Sequence, residues 1–328
     1  MMKNNIKIEI LKFSIPTAML FFLMFVVYVF LYPMNKGKKV VELVTGDRLS
    51  IVAERLYSDK VINSKFLFKV WMYLSWNQNN LKIGEYEIDD GATLNDIKNT
   101  ITSGRMYNKY LTIPEGLTVK QIAEILNSHD DLQGKITLKV EDGELLPQTY
   151  AYNKMISKDD LLLKMKTSMT EVIDKEWENR EQNLPLKDKQ EAIILASMVE
   201  KETSIPEERP IVASVFYNRL AKNMRLQSDP TVVYTLTKKY GNMRGRKLYK
   251  KDLEVPTPYN TYKIKGIPVG AIANPGIESI KAVLHPAYTG YFYFVADGSG
   301  GHKFAETLEE HEKNRANWKK IRDKIEKY

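Results

Sequence analysis

Residues 190–203 (QEAIILASMVEKET) contain neither Gly nor Pro and are apolar through most of their length. Their length and content are those of a buried helix. At 100° per residue, Ile194, Met198, Glu202, Leu195 and Val199 follow one another along a single continuous arc. Glu202 is then a lone carboxylate on an apolar face, whereas Glu200 falls on the other side with Ser197 and Lys201. A carboxyl group in apolar surroundings resists ionisation, and a protonated acid at neutral pH is what general-acid chemistry requires. The competing reading makes Glu202 one half of a structural ion pair with Arg209 or Arg219, since buried ion pairs also perturb carboxylates.

The chain has 328 residues, 43% hydrophobic and 27% charged, enough for a short anchor and two or three compact units. The absence of cysteine excludes a disulfide, a thiolate nucleophile and a cysteine-ligated zinc. None of the four histidines has ligand spacing with another, so no metal and no cofactor is expected. Residues 13–32 are uncharged and mostly apolar, long enough to cross a bilayer as a helix, with Tyr28 and Tyr32 suited to the interface. Pro16 near the start of this run is tolerable in a membrane helix. Pro33, Met34, Asn35 and Lys36 follow Tyr32 in place of a small-residue cleavage site. An uncleaved transmembrane anchor is therefore expected, with residues 1–12 as a cytoplasmic tail. Lys3, Lys7 and Lys12 precede the run while Lys36, Lys38 and Lys39 follow it, so charge alone does not orient it. The net charge of +8 is spread along the chain among many acids and does not point to nucleic acid. A basic surface facing anionic lipid or an anionic cell-wall polymer fits it equally well.

Between the anchor and His129 one pattern recurs: a Gly followed by apolar residues at the third, sixth and tenth positions. The instances are Gly46 with Leu49, Val52 and Leu56; Gly91 with Leu94, Ile97 and Ile101; and Gly116 with Val119, Ile122 and Leu126. That spacing lays one apolar stripe along a short helix. Strand-like stretches (residues 40–44, 86–88 and 110–113) come before the glycines, and Ser50, Thr93 and Thr118 stand where a side-chain oxygen caps a helix. Residues 112–128 read as a further strand and helix, 130–146 as a turn-rich surface excursion, and 157–177 as a long amphipathic helix. Ser204 is the expected cap of a helix that ends near Ala221. Asp229 with Pro230 reads as a cap and first-position pair. After Tyr240 the expectation is loops, short helices and a strand over residues 291–296. The fold class implied is α+β.

The step Glu200-Lys201-Glu202-Thr203 is followed by Glu208-Arg209, by Asn218-Arg219-Leu220, and by the run from Met224 to Val232. Then come the run from Pro256 to Tyr262, Gly266 to Ile272, Asn274-Pro275-Gly276, and Tyr293 to Gly298 ahead of Gly301-His302. So many pieces in this order resemble the MltG (YceG-like) family of endolytic murein transglycosylases, across essentially the whole chain and most densely from Glu191 onward. The resemblance implies that Glu202 is the catalytic acid, the residue the helical wheel selects independently. It also implies a LysM-like α/β module over residues 39–106, a connecting subdomain over 107–185 and a mixed α+β catalytic domain over 186–328. The residue pattern alone leaves the first of these open as an ordinary packing unit.

A glycan cleft needs polar groups aimed at hydroxyl and N-acetyl oxygens, and apolar faces for sugar rings. Gln227, Ser228, Tyr259, Asn260, Tyr262, Asn274 and His302 are the expected substrate-binding residues. Loop packing competes for the tyrosines, and a strand edge for His302. The activity implied is cleavage of the bond between N-acetylmuramic acid and N-acetylglucosamine in nascent peptidoglycan. It leaves a 1,6-anhydro end and terminates strand growth. Implied partners are glycan strands, membrane lipid and the peptidoglycan synthases, including penicillin-binding proteins, with the catalytic domain on the extracytoplasmic side of the cell (inner) membrane. Two rivals stand beside this: a hydrolase using Asp229 or Glu200 as second carboxylate, and a non-catalytic cell-wall-binding scaffold.

Overall fold

The computed structural model describes the backbone of residues 2–241 and 246–325 and the side chains of residues 15–241 and 246–324. The chain forms two compact units, Met1–Lys109 with Ala151–Met155, and Tyr110–Tyr150 with Ile156–Tyr328.

The first unit opens with α1 (Met2–Leu31), whose described side chains are mostly apolar and exposed. Among the described residues no helix is long and apolar enough to cross a membrane. Phe13 and Ser14, the start of the expected span, lie outside the described side chains. There follow β1 (Lys39–Leu43), α2 (Leu49–Ser58), α3 (Lys65–Leu74), β2 (Gly84–Ile88) and α4 (Leu94–Ser103). The strands pair antiparallel, from Lys39 opposite Ile88 to Leu43 opposite Gly84. Gly46 and Gly91 turn the chain at φ +88° and +69°, a backbone that favours glycine. The predicted stripes face inward: Val52, Leu56, Leu94, Ile97 and Ile101 share a core with Phe68, Met72 and Tyr86. Thr93 caps α4 in a reciprocal box with Asp96. Ser50 does not cap α2. Arg48 holds that position without a side-chain bond, and Asp47 instead accepts from the Val44 amide. The short helix α3 carries no periodic signal that sequence reasoning registered.

The chain then runs through β3 (Lys109–Thr112), α5 (Val119–Asn127), β4 (Thr149–Tyr152), which pairs with β3, and α6 (Lys158–Glu178). Thr118 and Ser157 close capping boxes on α5 and α6 with Gln121 and Asp160. Leu161, Leu162, Met165 and Met169 of α6 are buried, as the amphipathic pattern requires. The centre of the second unit is α7 (Lys189–Glu202), started by Asp188, whose side chain accepts from the Glu191 amide. From Ala192 to Val199 every residue of α7 is buried, so it is enclosed on all sides and not only along the predicted arc. Ser197, expected on the other side, is enclosed too; its hydroxyl donates to the Ile194 carbonyl and accepts from the Ile272 amide.

Around α7 pack α6, α8 (Arg209–Ala221), α9 (Asp229–Tyr240) and α10 (Ile277–Leu284). A 3₁₀ turn, Pro206–Glu208, leads into α8, and Ser204 does not cap it because Ile205 occupies that position. The cap of α9 is Ser228 rather than Asp229, which with Pro230 sits inside the first turn. The chain ends in an antiparallel hairpin, β5 (Tyr293–Ala296) with β6 (His302–Ala305), and a long helix α11 (Leu308–Ile325) where only short ones were expected. The architecture is mixed α+β, with small two-stranded sheets among helices.

Candidate active site

Glu202 is the last residue of α7, at the point where the enclosed helix reaches the surface. Thr203 follows in extended backbone. One carboxyl oxygen, Oε1, accepts a hydrogen bond of 2.5 Å from the Ser228 hydroxyl. Among the described residues no cation forms a salt bridge with it, so the ion-pair alternative does not hold for Glu202. Burial pushes its carboxyl up to about 7; the negative charge of Asp229 acts in the same sense, and the Ser228 bond and the Arg219 guanidinium oppose them. The negative end of the α7 dipole disfavours the anion as well. A carboxyl tuned there holds its proton for part of the time near neutrality and gives it up readily.

The loop holding Ser228 is tightly made. Gln227 adopts φ +51°, and its amide donates to the Thr261 carbonyl. The Ser228 amide donates to Thr261 Oγ1, and Thr231 Oγ1 donates to the Ser228 carbonyl. Ser228 makes no side-chain cap bond in α9. Its hydroxyl points to Glu202 instead. Next to it, the Tyr262 hydroxyl donates to Asp229 Oδ1 at 2.6 Å. Burial raises the Tyr262 phenol, and this bond raises it further. Arg219 is buried; Nε donates to the Phe292 carbonyl and a terminal nitrogen to the Leu226 carbonyl. Burial lowers its guanidinium, and the charges of Tyr262 and Glu202 act against that.

A second cluster lies just past the acid. Glu208 Oε2 accepts from the Thr203 hydroxyl at 2.8 Å, and Oε1 accepts from the His302 amide at 2.7 Å. His302 Nδ1 lies 2.7 Å from Oε2. Burial pushes the Glu208 carboxyl up, but the bonds from His302 and Thr203 outweigh it and hold it below the usual range. Since an ionised carboxylate only accepts, Nδ1 is the protonated nitrogen. Gly301 permits this approach, because a Cβ there would stand 2.7 Å from Glu208 Oε1.

The other predicted residues divide sharply. Gln227 is exposed and Tyr259 half-buried, its ring 5.0 Å from that of Tyr234. Asn260 is 0% exposed; its amide donates to the carbonyls of Leu253 and Val255, and its oxygen accepts from the Tyr262 amide. Asn274 is likewise 0% exposed: Oδ1 accepts from the amides of Gly143 and Leu145, while Nδ2 donates to the Leu117 carbonyl. Direct sugar contact, expected of both asparagines, does not fit these positions, since every polar group already orders a loop. Glu200 is also engaged. It accepts from the Gly276 amide and the Ser279 hydroxyl at the start of α10 and pairs with Arg209 at 3.5 Å, which sets it apart from Glu202 as a packing group. Sequence reasoning had no signal for the Glu208–His302 or Glu200–Arg209 contacts. Charged residues next to glycines at a loop closure would have been the nearest hint.

The profile of the YceG-like family matches residues 41–317. An endolytic murein transglycosylase of Bacillus subtilis is 32% identical over 90% of this chain and 89% of its own length. One from Streptococcus pneumoniae is 27% identical over 73% of this chain, a match that spans 51% of that protein. A crystal structure of a YceG-like protein from Listeria monocytogenes superposes with a TM-score of 0.51 at 32% identity, covering 85% of this chain and 99% of that one. With a family profile that spans most of its length, the chain belongs to the YceG-like family.

Proposed function

We infer that this protein is a lytic transglycosylase that cuts within the glycan strands of peptidoglycan, a lyase acting on a polysaccharide. The observation that carries the reading is Glu202: an acid at the mouth of the central helix, bonded to a neutral hydroxyl rather than a cation. The relatives' name for the activity supports it. Glu202 protonates the glycosidic oxygen between N-acetylmuramic acid and N-acetylglucosamine as the C1–O bond breaks. The N-acetyl oxygen of the muramoyl sugar stabilises the positive charge at C1. The C6 hydroxyl of that sugar attacks C1, and its proton returns to the Glu202 carboxylate, which leaves a 1,6-anhydro ring. No water is consumed, because the nucleophile is tethered to the electrophile, and one residue is acid and then base. Ser228 orients the acid, Arg219 steadies its anion, and Gln227, Tyr259, Tyr262 and His302 contact glycan around it. Asn260 and Asn274 order the loops that present them.

Anchoring of the chain in the cell membrane through residues 13–32, with the catalytic part on the outer side, is part of the same proposal. Supporting it are the uncharged sequence and the exposed apolar side chains from Ile15 to Leu31. The LysM-like reading of residues 39–106 is supported by the order strand, helix, helix, strand with the strands paired. The boundaries at 107, 186 and 328, and the synthases as partners, rest on the resemblance. The test is digestion of uncrosslinked glycan strands by the purified full-length chain and by Glu202→Gln. Products one water lighter than reducing ends are expected from the former and none from the latter. Reducing ends would make it a hydrolase, and unchanged release by Glu202→Gln would remove Glu202 from the chemistry.

A further inference from the structure

The last turns of α1 are built into the first unit. Val29 and Met34 are buried with 0% and 4% exposure in its core. The Met34 amide donates to the Ala92 carbonyl, and the Asn35 side chain donates to the carbonyls of Asp89 and Gly37. No free linker separates helix from module. The Trp71 ring of α3 lies 6.4 Å from Phe25 and 5.2 Å from Phe30. At 1.5 Å per residue these positions are about 10 Å and about 3 Å short of Tyr32, where the apolar run ends. Trp71, three residues before the end of α3, therefore lies level with residues that the proposed anchor places inside the bilayer.

Residues 70–81 beside it carry no charge, in a chain that is 27% charged, and Lys69 and Lys82 flank them. Leu74 is 58% and Trp76 82% exposed. Trp76 follows the cap of α3 at φ +58°, the position where helices usually place glycine. A bulky aromatic held in a disfavoured backbone and turned into water gains nothing from water. At a bilayer surface it sits where tryptophan is enriched.

Resting on the anchor reading above, we propose that the corner formed by Leu74 and Trp76 inserts into the outer interface of the phospholipid bilayer, so that α1 and its module are seated in lipid as one body. A lipid occupant is favoured over a protein one because the helix that leads to the corner packs, through Trp71, on the stretch of α1 whose neighbouring apolar side chains are exposed. The chain lacks cysteine, so single labels need no background removal. The full chain carrying Trp76→Cys, Leu74→Cys, Phe22→Cys or Tyr288→Cys is labelled with an environment-sensitive dye. Each variant is reconstituted in phosphatidylglycerol–phosphatidylethanolamine vesicles with or without brominated acyl chains. Labels at 76, 74 and 22 are expected to emit blue-shifted light and lose intensity in brominated lipid, and the label at 288 to do neither. In unlabelled protein, Trp76→Phe should reduce the fraction of tryptophan emission that the brominated lipid quenches. Quenching at 22 with water-like emission at 76 and 74 overturns the insertion and leaves the anchor standing. No quenching at 22 overturns both, and quenching at 288 overturns the localisation to this corner.

Discussion

Ser228 and Asp229 act on Glu202 with opposite sign, and that opposition can be measured. The charge of Asp229 raises the acid and the Ser228 hydroxyl lowers it. Activity should fall as pH rises through about 7, where Glu202 loses its proton. Asp229→Asn should move that fall to lower pH. Ser228→Ala should move it to higher pH and also slow the reaction at neutral pH, since the acid is no longer oriented. A pH profile of kcat/KM for both variants checks this, and displacements in one direction would refute the account. The same group acts on stability. Its folded value lies above the ordinary 4.5, so the folded chain holds a proton the unfolded chain lacks between there and about 7. Stability is lost as pH rises across that window. Glu202→Gln avoids the loss and should gain on the order of 1–3 kcal/mol over the wild type above the window, read as the difference in melting temperature. Glu202 was legible as a lone acid on an apolar arc. Ser228 was expected to bind substrate, and its bond to Glu202 was not read, because a contact between the end of α7 and the start of α9 has no period along the chain.

At the scale of elements, α10 and the loop before it are held by long-range polar groups. Glu200 reaches from α7 to the start of α10, and Asn274 links three backbone segments. Asn274→Ala would leave the buried amides of Gly143 and Leu145 without their acceptor, at a cost of about 2–3 kcal/mol, visible in denaturant unfolding. Glu200→Gln should lower the melting temperature by weakening its pair with Arg209, yet leave the pH profile in place. Abolished activity in a folded Glu200→Gln variant would instead make Glu200 a second catalytic carboxylate. The apolar stripes after Gly91 and Gly116 made α4 and α5 readable and the amphipathic pattern made α6 so; the structure adds a capping box to each, from Thr93, Thr118 and Ser157. Helix α3 has Ser64 accepting from the Leu67 amide but no such reciprocal partner, and no glycine stands just before it as one does before α2, α4 and α5. For α11, mostly exposed, the polar sequence offered no apolar stripe.

At the scale of the molecule, the two hydrophobic cores share no residue: Ile97 and Met72 belong to one, Leu195 and Phe216 to the other. Calorimetry should therefore depart from a single two-state transition. Ile97→Ala, at a fully buried site, should destabilise one transition by about 2–5 kcal/mol and leave the other unmoved. A lone transition that shifts as a whole would argue for one cooperative body.

The position of Glu202 at the mouth of α7 has a practical corollary for chemical footprinting. Water-soluble carbodiimides activate the undissociated form of a carboxylic acid. The carboxyl at the end of α7, raised to about 7, should retain that form in part at neutral pH. Brief treatment followed by peptide mapping would tag it, and a bound glycan fragment would shield it from the reagent.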